Sequence, residues 1–156
     1  MVRQFVMGGV ISICNIMIHA LVMTAVVRAS QATAVRTASR PNVLLIAVMV
    51  ATVSVLMAAH TCEVVIWSLA YGLVDAAPVN SNLYFAFVNY TTLGYGDVLP
   101  VERWRLLGPM TAMNGVLMFG WSTAVIFEVL RKAMVGRALA QESHPTQPES
   151  PKRGLT

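Results

Sequence analysis

Charged residues are scarce in this chain. Asp, Glu, Lys and Arg make up only 12% of the sequence and apolar residues 56%, proportions unlike those of ordinary soluble domains. The net charge of +4 is small and lies mostly in short clusters beside apolar runs, which argues against a nucleic-acid-binding surface. Cysteine is scarce too. Cys14 and Cys62 lie inside apolar runs, so we expect small buried residues, with neither a disulfide nor a metal site.

Three apolar stretches carry no charged residue and are long enough to cross a bilayer. They are residues 5–27, 43–62 and 106–127, and a membrane-spanning helix needs ~20 apolar residues. The second pattern continues to Leu73, so a helix over residues 42–73 would be about 48 Å long and must tilt or project. The first stretch could be a signal peptide, but it exceeds the usual ~7–15 apolar residues. We therefore predict an all-α integral membrane protein with three transmembrane helices.

Positive charge follows the first and third stretches. Because short basic segments favour the cytoplasm, both clusters are expected inside, which leaves the N-terminus and residues 74–104 outside. We expect a multi-pass protein of the cell membrane, surrounded by lipid, with a cytoplasmic C-terminus. The clusters comprise Arg28, Arg36 and Arg40, and Arg131, Lys132 and Arg137.

The segment between the second and third stretches has the pattern of a pore loop. Residues 76–78 break the preceding helix, and Asn80 or Ser81 can cap a short helix over about residues 82–91. A strand with two glycines follows at once. Irregular backbone survives at membrane depth only where protein or water covers it. We therefore predict a re-entrant pore helix followed by a selectivity filter.

These elements divide the chain into three parts. Residues 1–41 form an N-terminal transmembrane helix and a basic cytoplasmic loop. Residues 42–137 form a pore domain of outer helix, pore helix, filter and inner helix. Residues 138–156 are polar and proline-rich, which predicts a disordered cytoplasmic tail.

The glycine-containing strand suits the coordination of a dehydrated potassium ion. Main-chain carbonyl oxygens can replace the water shell of the ion if successive residues turn them toward one axis. That requires backbone conformations that alternate between left- and right-handed regions, which Gly94 and Gly96 allow at little steric cost. Thr92 can add its hydroxyl at the inner mouth, and Leu93 and Tyr95 would face outward into the protein. The negative end of the short helix would favour a cation in the inner cavity.

Residues 91–97, with the sequence Thr-Thr-Leu-Gly-Tyr-Gly-Asp, resemble the filter signature of the potassium channel superfamily. The likeness is closest to small bacterial channels with one pore loop between two helices, and it covers about residues 43–132. The resemblance implies a homotetramer that conducts potassium passively, is not an enzyme and needs no cofactor beyond the permeant ion. The implied potassium-binding filter comprises Thr92, Leu93, Gly94, Tyr95 and Gly96.

The residues expected to support the filter depart from the family pattern. Many relatives carry two tryptophans where this chain has Tyr84 and Phe85, and some carry a glutamate where it has Val88. We expect Tyr84 to donate a hydrogen bond to Asp97, whereas Phe85 cannot donate to Tyr95. Selectivity should be retained, while the departures bear on filter stability and slow inactivation.

Two glycines in the third stretch resemble the hinge and packing glycines of the family. Gly115 would let the inner helix bend so that its cytoplasmic end opens a gate. Close helix packing is an equally good interpretation for Gly115 and the favoured one for Gly120.

Polar residues form a stripe on each of the first two predicted helices. His60 and Glu63 lie one turn apart in the second, and Ser12, Asn15 and His19 share one face of the first. An acid within a membrane span is a functional candidate. His60 and Glu63 could therefore be a proton-sensitive pair that modulates the channel, although a polar packing contact is the favoured interpretation. We expect the first helix to pack its stripe against these two residues.

Two other functions remain compatible with the pattern. One is a cation channel of relaxed selectivity on the same fold, which the intact Gly-Tyr-Gly sequence disfavours. The other is a non-conducting membrane adaptor that keeps a pore-like loop. A secondary transporter is disfavoured because inverted repeats are absent.

Overall fold

The structure, a computed structural model, describes residues 1–34 and 41–142. Those residues form an all-helical fold without a β-sheet, and the segment at residues 91–97 is irregular. Its long helices are α1 (Val2–Ala34), α2 (Pro41–Leu73) and α4 (Leu107–Glu142), and the short helix α3 (Asn82–Tyr90) lies between the last two. Single 3₁₀ turns, Val79–Ser81 and Glu102–Trp104, precede α3 and α4.

Three helices are long and apolar enough to cross a membrane, as predicted. The segments Val2–Ser30, Asn42–Leu73 and Glu102–Val135 each contain an apolar 18-residue stretch, with mean hydropathies of 2.2, 2.4 and 1.4. The last helix continues to Glu142, which lies beyond the point where the sequence placed the start of a disordered tail. The rest of that predicted tail, and the predicted basic loop with Arg36 and Arg40, lie outside the described residues.

The second helix ends in a hydrogen-bonded cap that the sequence did not reveal. Asp75 adopts a left-handed conformation with φ 50°. Its amide donates to the Gly72 carbonyl at 3.4 Å, and the Ala76 amide donates to the Tyr71 carbonyl at 2.9 Å. This is the pattern of a Schellman cap, in which Asp replaces the more usual Gly. The helix therefore ends at Leu73, as predicted, just before the helix-breaking residues 76–78.

Helices α1 and α4 run side by side in the same direction, with α2 antiparallel to them. At one end, the Leu106 amide donates to Gln4 Oε1 at 2.8 Å, and the Arg3 guanidinium lies 5.5 Å from the centre of the Trp104 ring. Helix α1 packs against both α2 and α4, and α3 fits between α2 and α4. The N-terminal helix is therefore an integral part of the bundle.

Two apolar clusters hold the bundle, one at the level of α3 and one toward the opposite end. The first is built around Trp67 and Tyr71, whose side chains are fully buried. The second joins all three long helices through Met23, Val26, Leu56, Val125 and Val129. Between them lies a layer of buried polar side chains from the same helices. The cysteines are free thiols, and Cys62 is exposed within the single chain, so the prediction that it is buried is wrong there.

Candidate ion-conduction site

The short helix α3 leads directly into the filter strand, which we define as residues 91–97. Ser81 occupies the predicted N-cap position, but its side chain forms no capping hydrogen bond. At the other end, the Val88 carbonyl accepts from the amides of Leu93 at 2.9 Å and Gly94 at 3.4 Å. The Thr92 amide donates to the Asn89 carbonyl at 3.0 Å. The first filter amides therefore satisfy carbonyls that the helix end leaves open.

Every second residue of the filter strand has a left-handed backbone. The φ angles are 59° at Thr92, 62° at Gly94 and 75° at Gly96. The two glycines adopt the conformation predicted for them. Thr92 was not predicted to do so, because a β-branched residue at positive φ is strained and its residue type gives no sign of it.

The filter strand is exposed along its whole length in the single chain. Leu93 is 53% exposed and Tyr95 69% exposed. These two side chains were expected to face outward into the protein, and their own chain does not cover them. Within the single chain these two side chains are therefore not packed into a core.

Of the two α3 positions expected behind the filter strand, Tyr84 forms its predicted hydrogen bond, whereas the Phe85 side chain has no group that could donate one. The Tyr84 hydroxyl donates to Asp97 Oδ2 at 2.6 Å, as expected from the sequence. This hydrogen bond raises the pKa of Tyr84 above its ordinary value, because the carboxylate favours the protonated phenol. Phe85 is buried against Tyr71, with ring centres 4.9 Å apart.

Behind the end of α3, five buried polar side chains form a closed ring that we call the Glu63 cluster. Glu63 Oε1 lies 2.7 Å from His19 Nδ1, and the Tyr90 hydroxyl donates to Glu63 Oε2. His60 Nδ1 lies 2.9 Å from the Tyr90 oxygen. The Ser122 oxygen completes the ring, 3.0 Å from His60 Nε2 and 3.3 Å from His19 Nε2.

The predicted packing of the first helix on the second is confirmed. His19 contacts the Glu63 side chain directly, and Asn15 donates to the Glu63 carbonyl at 3.4 Å and to Asn114 Oδ1 at 3.2 Å. The two predicted partners also meet, because His60 Nδ1 lies 3.5 Å from Glu63 Oε2. Tyr90, Asn114 and Ser122 were not predicted as members of this polar layer, since no periodic pattern in α3 or α4 marks them.

The two glycines of the inner helix have different surroundings. A Cβ atom at Gly115 would overlap the Tyr90 carbonyl oxygen, so a side chain there would collide with the end of α3. A Cβ atom at Gly120 would meet nothing within 4 Å of its own chain. Helix α4 is continuous through both positions. Close packing within the chain therefore accounts for Gly115 and not for Gly120, for which packing was the favoured interpretation.

Fold and site together define a multi-pass membrane protein with a short helix and an exposed strand between two spans. Residues 43–132 match the sequence profile of an ion channel family that is potassium-channel-like. The match covers more than half of the chain, which therefore belongs to this ion channel family. Comparison with curated proteins and with solved structures gave no significant match.

Proposed function

We propose that the chain is one subunit of a homotetrameric channel that conducts potassium passively. The observation that carries this proposal is the left-handed φ at every second filter residue. In an ordinary strand successive carbonyls point to opposite sides. Alternating handedness turns them toward the same side, where they can replace the water around a dehydrated cation. The proposed ligands are the main-chain oxygens of Thr92, Leu93, Gly94 and Tyr95, with Gly96 closing the outer end.

The exposure of the filter strand supports assembly around a common axis. One strand can offer oxygens from one side only, whereas a bare potassium ion must be surrounded. Four strands would provide the remaining ligands, and neighbouring chains would cover Leu93 and Tyr95, which are exposed in the single chain. In this arrangement α3 is a re-entrant pore helix whose negative end faces the inner cavity.

We further propose that the N-terminus lies outside the cell membrane and the C-terminus in the cytoplasm. Arg28 near the end of α1 and Arg131 near the end of α4 lie at the same end of the bundle, because these helices run in the same direction. The positive-inside rule assigns that end to the cytoplasm. The filter and the loop before α4 then face outward.

Reversal potentials of purified protein in planar lipid bilayers test this function. With potassium and sodium on opposite sides, we expect a reversal potential that follows the potassium gradient. A value that follows sodium would indicate relaxed selectivity instead. No current from protein that is tetrameric by size-exclusion chromatography would indicate a non-conducting adaptor. Monomeric protein would contradict the proposed assembly.

A further inference from the structure

The Glu63 cluster brings together three side chains that commonly bind metals. His19 comes from α1, and His60 and Glu63 come from α2. One ligand atom from each lies within 4.8 Å of the others. We propose that His19, His60 and Glu63 bind a divalent transition-metal ion of the zinc class, at a site distinct from the potassium filter.

The distances within the cluster are close to those that such an ion requires. Ligand atoms 2.0–2.1 Å from a tetrahedral zinc ion lie about 3.4 Å from one another. His19 Nδ1 and Glu63 Oε1 are 2.7 Å apart, and His60 Nδ1 and Glu63 Oε2 are 3.5 Å apart. Side-chain movements of about 1 Å would therefore admit the ion. Two imidazoles and one carboxylate form a common zinc ligand set, and imidazole ligands disfavour calcium and magnesium.

Ser122 holds the two histidines in the orientation that metal binding needs. Both Nδ1 atoms point toward Glu63, and both Nε2 atoms point to the same hydroxyl oxygen, at 3.0 and 3.3 Å. A histidine that binds metal through one nitrogen usually donates the proton on the other to an oxygen. The Ser122 oxygen has two lone pairs and can accept both protons.

A count of protons favours the ion over two neutral histidines. Without metal, the Nδ1 atoms must carry protons, His19 to donate to Glu63 and His60 to donate to Tyr90, whose own proton goes to Glu63. If both imidazoles are neutral, both Nε2 atoms are then acceptors, and the single hydroxyl proton of Ser122 can serve only one. A metal ion bound to both Nδ1 atoms moves the protons to Nε2 and removes this conflict.

Electrostatics also favours a cation here. Glu63 is fully buried within an apolar span. Among the described residues, its ion-pair partners are His19 and His60, neither of which has a fixed positive charge. A buried carboxylate without a compensating cation is costly in such surroundings. A divalent ion would supply the charge and would link α1 to α2 directly behind Tyr90.

Because the site is buried, the test supplies the metal while the protein folds. Full-length protein, with its purification tag removed, is produced in medium supplemented with cobalt, which reports ligand geometry through its visible absorption. We expect about one cobalt ion per chain by elemental analysis, with the strong absorption of a four- or five-coordinate site. This measurement does not depend on ion conduction, so it can fail or succeed independently of the proposed function.

Substitutions then assign the ligands. His19→Gln and Glu63→Gln should lose the ion, and Ser122→Ala should weaken cobalt binding about 10–100-fold while keeping the ligands. His144→Ala, which removes the remaining histidine, and the double variant Cys14→Ala/Cys62→Ala should bind as the parent does. Size-exclusion chromatography and circular dichroism identify variants that fail to fold.

Three outcomes would overturn the site. One is parent protein that is folded but free of cobalt and zinc, which would leave a purely hydrogen-bonded cluster. Another is unchanged cobalt absorption in folded His19→Gln or Glu63→Gln protein. Loss of cobalt from the cysteine double variant alone would assign the ion to thiols and would also contradict the proposal.

Discussion

The filter strand and the Glu63 cluster are neighbours in the chain but are built in opposite ways. Tyr90 belongs to the cluster, and the next residue begins the filter strand. The filter consists of main-chain atoms and is exposed throughout, and a single chain supplies only one side of it. The cluster is made of buried side chains, and one chain supplies every hydrogen bond of its ring. Assembly should therefore matter most for the filter, and folding of the single chain for the cluster.

The largest effect should come from changing the filter backbone. Gly94→Ala places a Cβ on a residue with φ 62°, at a cost of roughly 1–2 kcal/mol per chain. Four copies around one pore would multiply that cost, so we expect potassium flux into liposomes to fall more than about 100-fold. Folding of the single chain should change little.

Gly9→Ala is the matched control, because Gly9 is helical and an added Cβ would meet nothing within 4 Å. It should leave the flux unchanged. Wild-type flux through Gly94→Ala would contradict the proposed role of the left-handed backbone.

The next largest effect, a loss of stability, should come from the contact between the inner helix, α4, and the end of α3. Gly115→Ala would drive a methyl group into the Tyr90 carbonyl, and such overpacking destabilises by about 1–3 kcal/mol. We expect a lower midpoint of thermal unfolding, followed by tryptophan fluorescence. Gly120→Ala, with open space around the new methyl group, should be neutral or slightly stabilising, since Ala favours helix over Gly.

The Gly115→Ala and Gly120→Ala variants also distinguish the two interpretations of Gly115, close packing and a gate hinge. If Gly115 acted only as a gate hinge, its alanine variant would keep the unfolding midpoint and would change the open probability in single-channel recordings. Equal midpoints for Gly115→Ala and the parent would therefore exclude the packing role.

A smaller loss of stability should follow from opening the ring of the Glu63 cluster. Tyr90→Phe removes a hydroxyl that serves both Glu63 and His60. Leaving buried polar groups unpaired should cost about 1–2 kcal/mol. Tyr71→Phe is the comparison. It removes the hydrogen bond between the hydroxyls of Tyr71 and Thr111, but Thr111 still donates to the Leu107 carbonyl at 2.9 Å and is not left unpaired.

Both variants are compared with the parent by the unfolding midpoint in detergent. Tyr90→Phe should lower it more than Tyr71→Phe does. The reverse order would show that the cluster contributes less than its hydrogen bonds indicate.

The sequence predicted the local geometry of residues 91–97 better than the Glu63 cluster for a physical reason. The filter is a contiguous segment, so its glycines and the partner Tyr84 can be recognised from spacing and resemblance. The helix ends are also local, and α3 was placed to within about one residue, although the predicted capping hydrogen bond does not form. His19 and Ser122 are 103 positions apart, so their meeting depends on the way that three helices pack.

Even within the filter, some of the structure lay beyond sequence patterns. The positive φ of Thr92 is contrary to the intrinsic preference of threonine. The role of the Val88 carbonyl as acceptor for two filter amides likewise does not depend on the valine side chain. Backbone geometry of this kind is invisible to residue type.

The smallest effect should come from the hydrogen bond between the side chains of Tyr84 and Asp97. Tyr84 donates to Asp97 at 2.6 Å, and this contact raises the pKa of the phenol. A raised pKa in the folded state means that the contact stabilises the fold below the ordinary tyrosine pKa near 10, and that the contribution is lost as the pH rises through the folded value. Tyr84 is 42% exposed, so water weakens the effect.

Ultraviolet titration of tyrosinate measures this contact directly. The difference between the parent and Tyr84→Phe curves isolates one of four tyrosines, and we expect that component to titrate above pH 10. The Asp97→Asn variant lacks the carboxylate charge. Its Tyr84 component is obtained by subtracting the curve of the double variant Tyr84→Phe/Asp97→Asn. The pKa of that component should fall toward the ordinary tyrosine value. A Tyr84 component that titrates alike with and without the Asp97 carboxylate would show that the two side chains do not interact in the assembled channel. The filter would then depend on neighbouring chains for all of its side-chain support.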